Sequence, residues 1–256
     1  MVDRDVTVNL RAEGIRYDRD NAVLYFEKDG LSSGDMEAFS TLVNQGIKDI
    51  ENLLKIPDDK RREKTNPIFY FISSKIDISR SRMRTVYLPL WRVQRHEAPY
   101  LHETSHILAR CDGCPMWFSE GFASWIQSYI SENVGGYDAK VFARRGNQGV
   151  DAEAARWLGT SNGQAVLPFV TGAGVPPDIG TERRAVGTPF YVMSQSLVKH
   201  LVQKAGIEKV YALSESKSFE QDIEQAAGEP LQLLTSGWLA SLPTGFAPGA
   251  ERNSRQ

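Results

Sequence analysis

The first hundred residues have the apolar pattern of a mixed α/β lobe. Val6, Val8 and Leu10 alternate with polar residues, which predicts a half-buried strand over 6–10. Apolar runs predict further strands at 22–26, 67–72 and 85–88. Between 22–26 and 67–72, apolar residues from 39 to 54 recur at helical spacing. They predict one long helix over about 35–55, which Pro57 ends.

From about Pro99 the pattern is helical. Helices are predicted at 100–110, 117–131, 150–158, 189–205, 207–213, 218–227 and 231–239. Apart from the helix at 150–158, the glycine-rich region 133–187 is predicted to be irregular, as functional loops often are. The pattern therefore indicates an α+β fold in one domain. A small N-terminal α/β lobe (1–98) precedes a mainly helical lobe (99–245), and a polar tail (246–256) is expected to be disordered.

Composition and charge exclude some classes of function. The chain has 256 residues, 41% of them apolar and 24% charged, as globular proteins do. Its net charge of −2 gives no basis for a nucleic-acid partner. It has no apolar run of about 18 residues, so no membrane span is predicted. The first residues do not resemble a signal peptide. The compartment stays open: a mature fragment is compatible with a secreted or periplasmic protein, and otherwise a cytoplasmic one is expected. The oligomeric state stays open.

The segment His102-Glu103-Thr104-Ser105-His106 carries the clearest chemistry, in a chain with 4 histidines. On a helix, residues four apart share a face, so both imidazoles can reach one ion. Neutral imidazoles suit Zn²⁺, and Glu103 can take a proton from the water beside it. The pattern predicts a zinc hydrolase. The alternative is an ordinary helix whose histidines are satisfied by core or solvent contacts.

A catalytic zinc ion needs a third protein ligand, for which two residues compete. Glu120, in Trp117-Phe118-Ser119-Glu120-Gly121-Phe122-Ala123, follows a Gly-x-Pro turn that allows a second helix to pack on the first. Asp112 lies six residues after His106, a spacing similar to that of the metzincins. Those proteases have a glycine three residues after the second histidine, where this chain has Ala109. Glu120 is therefore the favoured ligand.

Cys111 and Cys114 form a Cys-Asp-Gly-Cys segment directly after the histidine motif. They fit a small disulfide, a redox pair or two free thiols in a turn. A redox pair usually opens a helix after a strand, a context that is absent here. Two cysteines are too few for a four-cysteine zinc site. A small disulfide would suit an exported protein.

The segments 102–106 and 117–123 together resemble the gluzincins, whose second motif is Trp-x-x-Glu-Gly-x-Ala. The similarity is closest to the peptidase MA-like group, because 13 residues separate His106 from Glu120, fewer than in aminopeptidase N. The resemblance implies a zincin-like fold and a zinc peptidase that acts on a peptide or protein. It implies that His102, His106 and Glu120 bind one zinc ion and that Glu103 is the general base.

A third segment extends the resemblance. In aminopeptidase N-like enzymes, a tyrosine near the start of a later helix donates its hydroxyl to the oxyanion, and Tyr191 matches that position. Tyr191 also lies on an apolar stripe and fits a core role. Many gluzincins have an acidic residue where this chain has Ser124. No Gly-x-Met-Glu-Asn-type motif precedes residue 102, so an endopeptidase is expected. A rival interpretation is a non-catalytic, partner-binding protein on the same scaffold.

A strand that precedes a zinc-binding helix can present its edge to an extended peptide. Residues 84–89 are the candidate for that pairing. The alternative is an ordinary sheet strand whose edge is covered.

Overall fold

The structure, a computed structural model, describes residues 2–60, 67–136, 147, 149–172, 174–179 and 181–244. Its contacts divide the chain into two compact units. Unit 1 comprises residues 1–111 and 126–144, and unit 2 comprises residues 112–125 and 145–256.

The described residues form a mixture of helices with one five-stranded sheet. The helices are α1 (Val2–Glu13), α2 (Ser33–Leu54), α3 (Leu90–Gln94), α4 (Tyr100–Leu108), α5 (Met116–Asn133), α6 (Val150–Leu158), α7 (Ser161–Val170), a π-helical segment (Arg183–Gly187), α8 (Thr188–Ala205), α9 (Ile207–Leu213), α10 (Phe219–Ala227) and α11 (Leu231–Ser241). The strands are β1 (Ile15–Asp18), β2 (Ala22–Phe26), β3 (Ile68–Ser73), β4 (Arg80–Arg82) and β5 (Thr85–Pro89).

The predicted mixture of helices and strands is confirmed, whereas the zincin-like fold stays a prediction. The predicted lobes 1–98 and 99–245 also stay predictions, and the tail 246–256 lies outside the described residues.

The sheet of unit 1 has the strand order β1-β2-β3-β5-β4. Its three inner strands are parallel, and each edge strand is antiparallel to its neighbour. The parallel strands β2, β3 and β5 are nearly continuous apolar runs because helices cover both of their faces. Leu24, Tyr70 and Val86 are paired across these strands and fully buried, on the face where α4 packs.

The predicted strand at 6–10 is wrong, because this segment belongs to α1. A strand would place Val6, Val8 and Leu10 on one face, whereas a helix places only Val6 and Leu10 together. Val6 and Leu10 are buried in a cluster on the sheet, and Val8 is 58% exposed. Burial therefore follows the four-residue spacing of a helix. Five residues are too few to distinguish that spacing from the alternation of a strand.

Residues 84–89 do not form the free edge of the sheet. β5 lies between β3 and β4, so its edge is covered, as in the second of the two alternatives. The edge strand on that side is β4, a three-residue strand that no apolar pattern marks.

The prediction that 133–187 is irregular except at 150–158 is wrong at α7. Two residues that usually break helices obscure α7 in the sequence, Gly163 and Pro168. Packing requires glycine at position 163, since a Cβ atom there would lie 1.9 Å from the Trp157 carbonyl oxygen. The Thr160 hydroxyl accepts a hydrogen bond from the Gly163 N–H and caps the first turn.

The central element of unit 2 is α8, which packs against α6, α7, α9, α10 and α11. Its first sixteen residues include ten that are buried, so it is covered on most sides. An aromatic group formed by Trp117, Phe118, Phe122 and Phe219 joins the first turns of α5 to α10.

The helical assignment of α1 predicts unequal effects at two neighbouring apolar positions. We expect Leu10→Ala to lower the free energy of unfolding by about 2 kcal/mol or more, because it removes a buried side chain. Val8→Ala is the matched control and should change it by less than about 0.5 kcal/mol. Urea unfolding measures both. Similar losses in the two variants would favour the strand that the sequence predicted.

Candidate metal centre

A buried hydrogen bond joins helix α4 to the sheet, and a second one within the helix orients the hydroxyl that accepts it. The Thr104 hydroxyl donates to the Tyr100 carbonyl oxygen at 2.6 Å, so its oxygen accepts the O–H of Tyr70 on β3, also at 2.6 Å. Burial raises the pKa of the Tyr70 phenol, an effect that its hydrogen bond to Thr104 opposes in part. The phenol therefore stays protonated and donates. The Tyr70 bond therefore links α4 to β3, and the bond within α4 orients the Thr104 hydroxyl that accepts it.

The two histidines lie on the same face of α4, one turn apart. Their Nε2 atoms are 3.1 Å apart and their ring planes are nearly perpendicular, at 86°. Both side chains are half-buried. Glu103, the next residue after His102, is buried and only 7% exposed. Helix α4 thus carries two imidazole nitrogens on one face and, at the position after His102, a carboxylate that is largely withdrawn from water.

Glu120 on α5 completes a group of three ligand atoms. One atom from each of His102, His106 and Glu120 lies within 4.8 Å of the other two. Among the described residues this is the group of histidine, cysteine and acidic side chains that can hold a metal ion. Asp112, the other predicted third ligand, is exposed and lies outside this group.

Gln127 holds the first turn of α4 and was not predicted from the sequence. The first N–H groups of a helix have no partner within it, and no side chain of Pro99 can cap α4. The Gln127 Oε1 atom accepts the His102 backbone N–H at 3.3 Å. Gln127 lies two turns after Glu120 on the same stripe of α5, with half-buried Ser124 between them. That position places Gln127 on the stripe of the ligand, but no local pattern in the sequence marks its contact with α4, 25 residues away.

The glycine after Glu120 allows α5 and α8 to cross closely. A Cβ atom on Gly121 would lie 2.4 Å from the Ser194 carbonyl oxygen and 2.9 Å from a methyl carbon of Val198. Only a residue without a side chain fits at this crossing. Packing therefore explains why a glycine follows Glu120 in the motif. The glycine lets α5 pack closely on α8 at the position next to the ligand.

Tyr191 lies on the first turn of α8 and is half-buried. It precedes Ser194 by three residues, which places it about 4.5 Å along the helix axis from the Gly121 crossing. Its ring lies near Gly187 and contacts Phe190 edge-on. Its catalytic role stays a prediction.

Both cysteines are disulfide-bonded, which excludes the alternative of two free thiols. With two cysteines in the chain, the bond joins Cys111 to Cys114. It lies in the seven-residue link, 109–115, between α4 and α5. The link therefore joins the helix of the two histidines to the helix of Glu120.

The donor set fits a zinc ion. Zinc is held by histidine nitrogens at about 2.0–2.1 Å and by carboxylate oxygens at about 2.0–2.2 Å, so two nitrogens of a tetrahedral site lie about 3.4 Å apart. The observed separation of 3.1 Å between the two Nε2 atoms is close to that value. Two imidazoles and one carboxylate also form a donor set of catalytic zinc sites, in which the fourth position is open.

Comparisons of the chain with protein-family models, with curated proteins and with solved structures found no match. Within the described part of the chain, none of the helices has the length and apolar character that crossing a membrane requires.

The crossing at Gly121 predicts a specific sensitivity to a single methyl group. We expect Gly121→Ala to lower the free energy of unfolding by about 1–3 kcal/mol, because the added Cβ forces α5 and α8 apart. Gly113→Ala is the matched control, since a Cβ there meets no atom within 4 Å. Urea unfolding of the metal-free proteins compares them. Equal stability of the two variants would show that the crossing tolerates separation.

Proposed function

We propose that the protein is a zinc-dependent peptidase of the gluzincin type that hydrolyses internal peptide bonds. The observation that carries the proposal is the convergence of one ligand atom from each of His102, His106 and Glu120 within 4.8 Å. A second support is Glu103, a buried carboxylate on the same helix, at the position that a general base takes in this motif.

The three ligand residues would hold the ion, and the chain's other groups would move protons. Bound zinc supplies a Lewis acid that makes its water acidic near neutral pH and polarises a carbonyl group. Glu103 accepts a proton at its carboxylate from the water that attacks the peptide carbonyl carbon. When the C–N bond breaks, Glu103 returns that proton to the leaving amine. The water oxygen and the remaining proton end in the new carboxyl group.

The surroundings of α4 would keep this geometry ready before a substrate binds. The Tyr70–Thr104 hydrogen bond links α4 to the sheet, and Gln127 holds its first turn. Groups that are held rigidly lose little entropy when the reaction begins. Both histidines lie on this helix and not on a loop.

Tyr191 would donate its hydroxyl to the carbonyl oxygen as negative charge develops on it. A phenol is a neutral donor at pH 7, and its hydrogen bond strengthens as that charge grows. Its place one turn from the Gly121 crossing supports this role, since Gly121 is adjacent to Glu120.

The proposal predicts that metal binding and catalysis separate by residue. We expect Glu120→Gln to lose zinc, because a neutral amide is a weaker ligand than a carboxylate. Glu103→Gln should keep zinc and lose about 10²–10⁴-fold in kcat, because the general base is gone. Metal analysis and digestion of a peptide library measure the two effects.

The matched control for Glu120→Gln is Asp112→Asn, which should keep both zinc and activity. Loss of zinc only in the Asp112 variant would instead support a metzincin-like site. A Glu103→Gln variant with full biological activity would support a non-catalytic protein.

The role of Tyr191 is tested by removing one oxygen atom. We expect Tyr191→Phe to lower kcat by about 10²-fold or more, since oxyanion donors contribute about that much. Zinc content and KM should change little, because the ring and its contacts are kept. Steady-state kinetics on the cleaved library peptides measures this. A variant with unchanged kcat would leave Tyr191 as a packing residue.

A further inference from the structure

The disulfide lies in the link between α4 and α5, which joins two of the proposed zinc ligands, His106 and Glu120, along the chain. His106 lies on the last turn of α4, five residues before Cys111, and Glu120 lies six residues after Cys114. The bond closes a four-residue loop, Cys111 to Cys114, in the middle of the link. It therefore restricts the backbone between two ligands of the same ion.

So small a loop contributes less to global stability than a long one does. A disulfide stabilises a fold mainly by restricting the unfolded chain, and the effect grows with the length of the loop that it closes. A four-residue loop is at the short end of that scale. The bond is therefore better placed to restrict local geometry at the link than to hold the whole fold together.

The bond is also accessible to a reductant. Asp112 and Gly113, the residues between the cysteines, are exposed, and both cysteines are half-exposed. A cavity of about 420 Å³ opens beside Cys114, lined by residues 113–115 and 218–221. An attacking thiolate needs this kind of access to a disulfide sulfur.

The reduced state has a hydrogen-bond acceptor in place. The Cys114 Sγ atom lies 3.5 Å from the Leu213 carbonyl oxygen. A disulfide sulfur has no hydrogen to donate to that oxygen, whereas the thiol formed on reduction does. Reduction therefore does not leave the Cys114 sulfur in a purely apolar setting.

We propose that the Cys111–Cys114 disulfide is a redox-sensitive clamp on the zinc site, and that its reduction weakens zinc binding by at least tenfold. The clamp rests on the proposed function, because its ligands are His106 and Glu120. Loss of the groups that hydrogen-bond to metal ligands and orient them typically costs about 10- to 100-fold in metal affinity, and the clamp would orient ligands in a comparable way. When the bond is intact, the link holds the ends of α4 and α5 so that the two ligands converge.

The chemistry of the switch is thiol–disulfide exchange with a dithiol. One thiolate of the dithiol bonds to a cysteine sulfur as the Cys111–Cys114 bond breaks, and its second thiol then displaces that sulfur. The dithiol is oxidised to a disulfide. Its two protons and two electrons end on the two cysteine thiols.

The test measures the zinc affinity of the whole chain in two redox states. The metal-free protein is prepared oxidised, or reduced with dithiothreitol that is then removed without oxygen, and zinc affinity is measured by chelator competition. We expect the reduced protein to bind zinc at least tenfold more weakly and to recover on reoxidation. Equal affinity in the two states would overturn the clamp.

The double variant Cys111→Ser/Cys114→Ser is the matched control, because the chain has no other cysteine. It should bind zinc as weakly as the reduced protein and should not respond to dithiothreitol. Circular dichroism should show the same fold in all three samples. Unfolding on reduction would overturn the proposal, since the bond would then hold the fold and not the site.

Cobalt substitution identifies the ligands in each state. A thiolate-to-cobalt charge-transfer band in the reduced protein would overturn the clamp, because the cysteines would then act as ligands. A protein that binds zinc and cleaves peptides equally in both states would overturn the clamp alone. An oxidised protein that binds no zinc would overturn both the clamp and the proposed function.

Discussion

Two imidazole nitrogens held 3.1 Å apart on the surface of one helix are the constraint on which the metal centre depends. Such a pair is useful only if the helix cannot rotate, because a rotation of α4 would carry both nitrogens away together. The buried hydrogen bond from Tyr70 on β3 to Thr104 resists that rotation. Gln127 opposes fraying of the first turn by satisfying the His102 backbone N–H.

The third ligand depends on a different kind of contact. Glu120 lies on α5, and the position of α5 depends on the glycine that follows. Because Gly121 has no side chain, the α8 backbone at Ser194 can approach closely. One partner of the site is thus held by hydrogen bonds and the other by close packing. Packing of this kind has few alternative arrangements, because interiors are dense and resist small displacements.

The parts of the site that could be predicted from the sequence are those with a local spacing rule. The four-residue interval of His102 and His106 is informative because it is one helical turn, and Glu120 was found through a motif that includes its glycine. Gln127 and Tyr70 could not be found in this way. Their contacts to α4 join residues 25 and 34 positions apart, and no local pattern marks them.

The fold could be predicted to a similar degree, and the predictions that were wrong failed for similar reasons. Long periodic segments such as α2 and α8 were predicted within two residues at each end. The segment 6–10 was too short to distinguish two spacings, and the tertiary contacts of Val6 and Leu10 decided it. At α7, packing against Trp157 requires Gly163, although a glycine in the sequence usually indicates the end of a helix.

The zinc ligand set is tested most directly by X-ray absorption at the zinc edge of the oxidised protein loaded with one equivalent of metal. Zinc bound by His102, His106 and Glu120 should show only nitrogen and oxygen neighbours, at about 2.0–2.2 Å, in a four-coordinate site with two imidazole ligands. A sulfur neighbour at about 2.3 Å, or a shell without imidazole, would contradict the site and with it the proposed peptidase.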